Sequence, residues 1–163
     1  MTDEEAQADH ELSYLGKHSE RLSDLIEEQT ALLFAAADIC IPVKSCSLLE
    51  ALSQCEPAAA SDLANALGRS HQLIMQKLPK LVQLGLIERS EDPDDRRRYL
   101  LTVTPEGQAQ LERLDRVMPD IAAAYRKIER EVGPVLEPIV AMTQKLLEIG
   151  LADRVEDARE STR

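Results

Sequence analysis

A mainly α-helical fold with one small β-hairpin is what this sequence predicts, and three observations carry the prediction. Between Ala60 and Gly85, two short helical patterns are separated by a glycine turn. Directly after them, LIERS and YLLTV bracket the charged run DPDDRRR, which reads as two short strands around a Pro/Asp turn. At both ends of the chain, apolar residues recur at helical spacing over stretches too long for one small domain to cover. The combination is a winged helix-turn-helix set between N- and C-terminal dimerisation helices.

Taken in order, residues 1–10, MTDEEAQADH, are polar and read as a disordered N-terminal tail. Residues 11–40 read as one N-terminal dimerisation helix, with Leu15, Leu22, Leu25, Ile26, Leu32, Leu33 and Ala36 on a single stripe. Ile41-Pro42 breaks it, because proline disfavours helix in the residue before it. The winged region spans 41–104. Within it, Ser47 to Gln54 is a short apolar helix that Glu56-Pro57 ends. Leu63, Ala64 and Leu67 share a face of the next helix, and Gly68 suits the tight turn between two steeply crossing helices. Ser70 then caps a helix from about His71 to Leu84, whose Leu73, Ile74, Leu78 and Leu81 recur at helical intervals and whose end is marked by Gly85. Pro79 inside that helix predicts a bend.

The C-terminal dimerisation helices occupy 105–150. Thr104 caps the first and Pro105 opens it; Leu111, Leu114, Val117, Met118, Ile121, Tyr125 and Ile128 lie on one side, and Pro119 predicts a kink or break near Met118. After Gly133-Pro134, a last helix from roughly Pro134 to Ile149 presents Val135, Leu136, Ile139, Val140, Met142, Leu146 and Leu147. Residues 151–163 read as a charged, mobile C-terminal tail.

Charge bounds the function. The chain has 30 acidic and 19 basic side chains, a formal net charge of −11, which argues at first against a nucleic-acid partner. The distribution of those charges argues the other way. Residues 1–59 carry 3 basic and 12 acidic side chains and residues 106–163 carry 9 and 12, whereas residues 60–105 carry 7 and 6, so only the centre is not acidic. There His71, Gln72, Lys77, Lys80, Arg96, Arg97 and Arg98 are candidates for one positive face, with Asp62, Glu88 and Glu91 expected elsewhere. Rings are scarce, only Phe34, Tyr14, Tyr99 and Tyr125, so stacking of single-stranded bases is disfavoured.

The stretch Asp95-Arg96-Arg97-Arg98-Tyr99-Leu100-Leu101-Thr102-Val103-Thr104-Pro105-Glu106-Gly107 resembles the wing signature of the MarR (multiple antibiotic resistance regulator) family, D-x-R-x-x-x-L-x-x-T-x-x-G. The spacing from Gly68 to Gly85 matches as well, and the flanking helices extend the likeness loosely over about residues 11–150. The resemblance implies a dimer built from the first and last helices, two DNA-reading heads on a pseudo-palindromic operator, and repression released by a small-molecule effector. The effector pocket would lie between the dimer helices and the winged domain, where Phe34, Tyr14 and Tyr125 are candidate lining residues. Ser70, His71, Gln72, Leu73, Met75, Gln76, Lys77 and Lys80 would then face the major groove. Gln can pair bidentately with adenine, Lys and Ser can hold phosphate, and Leu or Met can touch a thymine methyl. This helix is less basic and more apolar than the family's usual one. In the wing, Asp95 and Arg97, two apart on a strand edge, would pair and brace it, leaving Arg96 or Arg98 for DNA.

Cys40, Cys46 and Cys55 are odd in number and lack zinc-type spacing, so they read as reduced thiols in a cytoplasmic protein. Redox sensing at these three is an alternative to ligand release. No apolar run spans a bilayer, and the acidic start lacks a signal peptide's pattern. His10, His18 and His71 lack metal spacing, no cofactor motif occurs, and no nucleophile elbow, P-loop or dinucleotide fingerprint suggests an enzyme. The rival from another class is a winged-helix interaction module that sequesters a regulator without reading DNA.

Overall fold

The computed structural model describes residues 2–93, 95 and 98–161. Its elements are α1 (Asp3–Ser13), α2 (Leu15–Ala36), a 3-10 turn (Val43–Ser45), α3 (Cys46–Cys55), α4 (Ala60–Ala66), α5 (His71–Gln83), β1 (Ile87–Glu91), β2 (Tyr99–Val103), α6 (Pro105–Val132), α7 (Leu136–Glu148) and α8 (Leu151–Ser161). The chain forms two compact units, 1–117 and 118–163.

The core belongs to the first unit. Leu49 and Leu52 of α3, Leu63 of α4, Ile74 and Leu81 of α5, Leu86, Ile87 of β1, Leu101 of β2 and Leu114 of α6 are all but fully buried, and Phe34 of α2 joins them. Each such side chain contributes on the order of 1.5–3 kcal/mol on leaving water. β1 and β2 pair antiparallel with Ile87 opposite Val103 and Glu91 opposite Tyr99. Ala58 adds a rung to β2: its N–H donates to the Leu101 carbonyl and its carbonyl accepts from Leu101 N–H, at 3.1 and 2.9 Å.

The Thr-Pro-Glu-Gly string after the hairpin has a mechanical role. Thr104 Oγ1 donates to the Gly85 carbonyl at 2.5 Å and accepts from Gly107 N–H at 3.0 Å, joining the end of α5 to the start of α6. Gly107 packs against the backbone where the hairpin begins, and a Cβ there would overlap the Leu86 carbonyl and Val103.

Several sequence expectations need correction. Residues 3–13 are helical rather than a disordered tail, because Thr2 and Glu5 form a capping box and Asp3, Glu4 and Glu5 complement the positive end of the helix. The N-terminal helix is two, divided at Tyr14, and α2 stops before Ile41-Pro42: Asp38 adopts a left-handed φ of 53°, and Ile39 N–H bonds back to the Phe34 carbonyl. Residues 151–161 are also helical. Arg154 of α8 donates to the carbonyls of Ile149, just past the end of α7, and of Lys145, which also accepts from Ile149 N–H, and so ties α8 to α7. α6 continues through Pro119, so the expected break near Met118 does not occur, and α5 continues through Pro79.

In the second unit, the Glu129 carboxylate accepts from the N–H groups of Val135 and Leu136 and caps α7, which holds its pKa below the ordinary carboxylate value. None of this unit's described residues is buried, although Leu136, Ile139, Val140, Met142, Leu146, Leu147, Leu151 and Val155 are large and apolar. Among the described residues, no helix is long and apolar enough to cross a membrane.

Candidate nucleic-acid interface

α4, the turn after it and α5 form the helix-turn-helix. Gly68, at φ 58°, lets Arg69 N–H reach back to the Ala64 carbonyl at 2.9 Å. Ser70 closes the turn by accepting from Leu73 N–H at 3.3 Å, so its hydroxyl serves as the cap of α5. α5 then buries Ile74, Leu78 and Leu81 and exposes His71, Gln72, Met75, Gln76, Pro79 and Lys80. These exposed positions recur at four-residue steps and make one continuous face.

The structure divides the sequence candidates. His71, Gln72, Met75, Gln76 and Lys80 share the exposed face. Leu73 lies half-buried on its flank. Lys77 is half-buried too, and its ammonium donates to the Lys44 carbonyl in the 3-10 turn. Burial first, and then the nearby Arg69 and Lys44 charges, lower its pKa. Lys44 in turn reaches Glu27 at 2.5 Å and Asp24 at 3.5 Å, so this cluster ties α2 to α5 through the turn.

In the wing, Asp95 sits in the loop between the strands rather than on a strand edge. Arg96 and Arg97, and with them the expected Asp95–Arg97 brace, lie outside the described residues. Arg98 remains exposed but is paired with carboxylates of the protein itself. Its Nη2 stands 3.1 Å from Asp62 Oδ2, on α4, and its Nε 3.8 Å from Asp92 Oδ2. Its carbonyl accepts from Asp92 N–H at 3.2 Å and its own N–H donates to the Asp95 carbonyl at 2.8 Å. Asp62, expected away from the positive face, is thus part of the junction, and it also accepts from Ala59 N–H at the start of α4.

Two basic residues escape the sequence reading. Arg69 is exposed in the turn leading into α5. Arg89 lies over the Tyr99 ring, 4.1 Å from its centroid, and was discoverable: with Arg89 opposite Leu101, Tyr99 is its diagonal neighbour across the hairpin. Arg89, Arg98, Tyr99, His71 and Met75 rim a cavity of about 210 Å³, floored by Leu78 and Leu101, between the hairpin and α5. Of the other aromatic candidates, Phe34 is buried core, whereas Tyr14 and Tyr125 are exposed.

Cys40 and Cys55 are exposed and Cys46 is half-buried. Burial, and then the Glu50 carboxylate, push the Cys46 thiol up to about 11. Among the described residues, no group of His, Cys, Asp and Glu could hold a metal ion.

Residues 41–98 match the model of the MarR family. Among curated protein sequences the chain has no significant match. Among solved structures, a mutant MarR from E. coli complexed with operator DNA is similar at TM-score 0.61 and 18% identity, over 86% of this chain and 96% of that one. The repressor CouR bound to a 23-mer DNA duplex gives TM-score 0.60 and 24% identity, over 85% and 94%. The S. aureus MepR–DNA complex gives 0.57 and 19%, over 84% and 94%. The stretch from before α3 into the wing loop is thus similar to the MarR family's model, and the winged helix-turn-helix fold is shared along most of the chain with these solved structures.

Proposed function

We propose that this protein is a homodimeric transcription regulator that reads double-stranded DNA, acting as a repressor that a small-molecule effector releases. The observation that carries the reading is the exposed face of α5: two glutamines, a histidine and a lysine on one side of a rigidly capped helix whose other side is core. Gln72 and Gln76 are the base readers in this proposal, Met75 touches a thymine methyl, and Lys80 holds phosphate. Arg96 enters the minor groove from the wing. Solved relatives of this fold bound to operator DNA, a 23-mer duplex and DNA support the assignment.

The dimer reading is supported by what a single chain leaves uncovered. Residues 118–161 bury no side chain, and α2 exposes Leu22, Leu25, Ile26, Leu32 and Leu33. A second copy supplies matching stripes and sets two α5 helices about one turn of DNA apart. In this reading the dimerisation helices comprise 11–40 and 105–150, and the winged region 41–104.

Selection of duplexes from a random pool by the purified protein tests the proposal. An enriched inverted repeat that binds in the presence of competitor DNA is the expected result; failure to enrich any sequence overturns it. The rival interaction-module reading is favoured by the pairing of Lys77 and Arg98 with groups of the protein itself, which thins the positive face. It predicts no enrichment together with a stoichiometric protein partner.

A further inference from the structure

We infer that Arg98 is a positioning residue, which with Asp62 and Asp92 sets the wing against the helix-turn-helix, and that it does not contact DNA phosphate. The inference rests on the DNA-reading function proposed above. Arg98 lies in an arginine-rich run, where each guanidinium is on sequence grounds a phosphate ligand. Its surroundings argue otherwise. Both its backbone groups are used within the wing, by Asp92 N–H and the Asp95 carbonyl. Its side chain spans two elements, with Nη2 on Asp62 of α4 and Nε towards Asp92, whose carboxylate is nearly buried at the base of the wing loop. A guanidinium paired with two carboxylates has its charge largely compensated, and the Nη2 and Nε donors that meet them are committed within the protein.

Asp62 makes this a coupling rather than a local staple. Its Oδ2 accepts from Arg98 and also from Ala59 N–H, so one carboxylate both starts the first helix of the helix-turn-helix and receives the wing. The wing's angle to the face of α5 is set at this point. An aspartate beside a DNA-binding surface repels phosphate, and its presence there is accounted for by the positioning it provides.

The two roles have opposite signatures. The test uses full-length protein, the duplex that wild type selects from a random pool, and poly(dI-dC) as non-specific DNA, with Arg98→Gln, Asp62→Asn and the double variant. Asp62→Asn keeps an acceptor for Ala59 N–H, so α4 retains its start. Positioning predicts that either single change weakens binding to the selected duplex by about threefold to fivefold, the range of an exposed ion pair. The slope of log K against log salt stays unchanged, Asp62→Asn leaves poly(dI-dC) binding equal or stronger, and the double variant is no weaker than the singles. A phosphate contact predicts that Arg98→Gln lowers the slope by about one and weakens both DNAs, while Asp62→Asn strengthens both; that result overturns the inference. Amide exchange in Asp62→Asn gives a readout without DNA: faster exchange of the wing amides is expected, and unchanged exchange overturns the coupling. If wild type selects no duplex, the DNA-reading proposal itself fails, an outcome distinct from wild-type selection with an altered slope.

Discussion

Thr104 and Gly107 lie in the family's wing signature, yet their work is to join backbone elements. Removing the Thr104 hydroxyl leaves Gly107 N–H and the Gly85 carbonyl without it, so Thr104→Ala is expected to destabilise the protein by about 1 kcal/mol in urea unfolding, with Thr104→Ser recovering most of the loss. Gly107→Ala forces a Cβ into the Leu86 carbonyl and is expected to cost more, about 1–3 kcal/mol, on the same measurement. Cys46 yields a chemical prediction. A thiol pushed up to about 11 is almost wholly protonated at pH 8, and its thiolate becomes abundant only as pH rises towards that value. Iodoacetamide at pH 8, followed by mass spectrometry, should label the exposed Cys40 and Cys55 before Cys46. Fastest labelling at Cys46 would contradict the burial argument and restore it as a redox candidate.

At the scale of the element, α5 separates reading from holding. Gln76→Ala is expected to relax base preference at its position in a duplex selection, a loss of about 1–3 kcal/mol of discrimination, with little change on non-specific DNA. Lys80→Ala should weaken binding to all duplexes alike and lower the salt slope by about one. The cap, the glycine turn and the inner face of α5 were legible from spacing alone, because helical periodicity and turn chemistry are local. The partition of its polar residues was not. Lys77 and Lys80 are equivalent as letters, and the difference between them is the Lys44 carbonyl, 33 positions away in the chain. For the same reason the sequence placed Asp62 apart from Arg98, which is 36 positions distant.

For the whole molecule, the exposed apolar stripes decide the expected state in solution. Leu146→Glu with Leu147→Glu should shift sedimentation from dimer to monomer and remove cooperative binding to an inverted repeat. A wild-type protein that sediments as a monomer at micromolar concentration would refute the dimer. The termini show where compositional reasoning stops. Residues 3–13 and 151–161 have the polar composition of tails, yet a capping box orders the first and Arg154 on the Lys145 and Ile149 carbonyls joins the second to its neighbour. Composition measures how much apolar area a segment can bury, whereas these helices are also held by polar side chains bonded to backbone donors and acceptors.

The sequence by itself determined the order of helices and hairpin, the glycine turns at Gly68 and Gly85, the core side of α5 and the likeness to the MarR wing. All of these are written in period, turn residues and local motif. Only the tertiary structure decided which charges are available: it set Arg98 between Asp62 and Asp92, Lys77 on Lys44 and Arg89 on Tyr99, and left Gln72, Gln76 and Lys80 facing outward. The physical reason is range. Helix and turn formation depend on neighbours a few residues away, while the fate of a charge depends on which distant side chain the fold brings within a few ångströms of it.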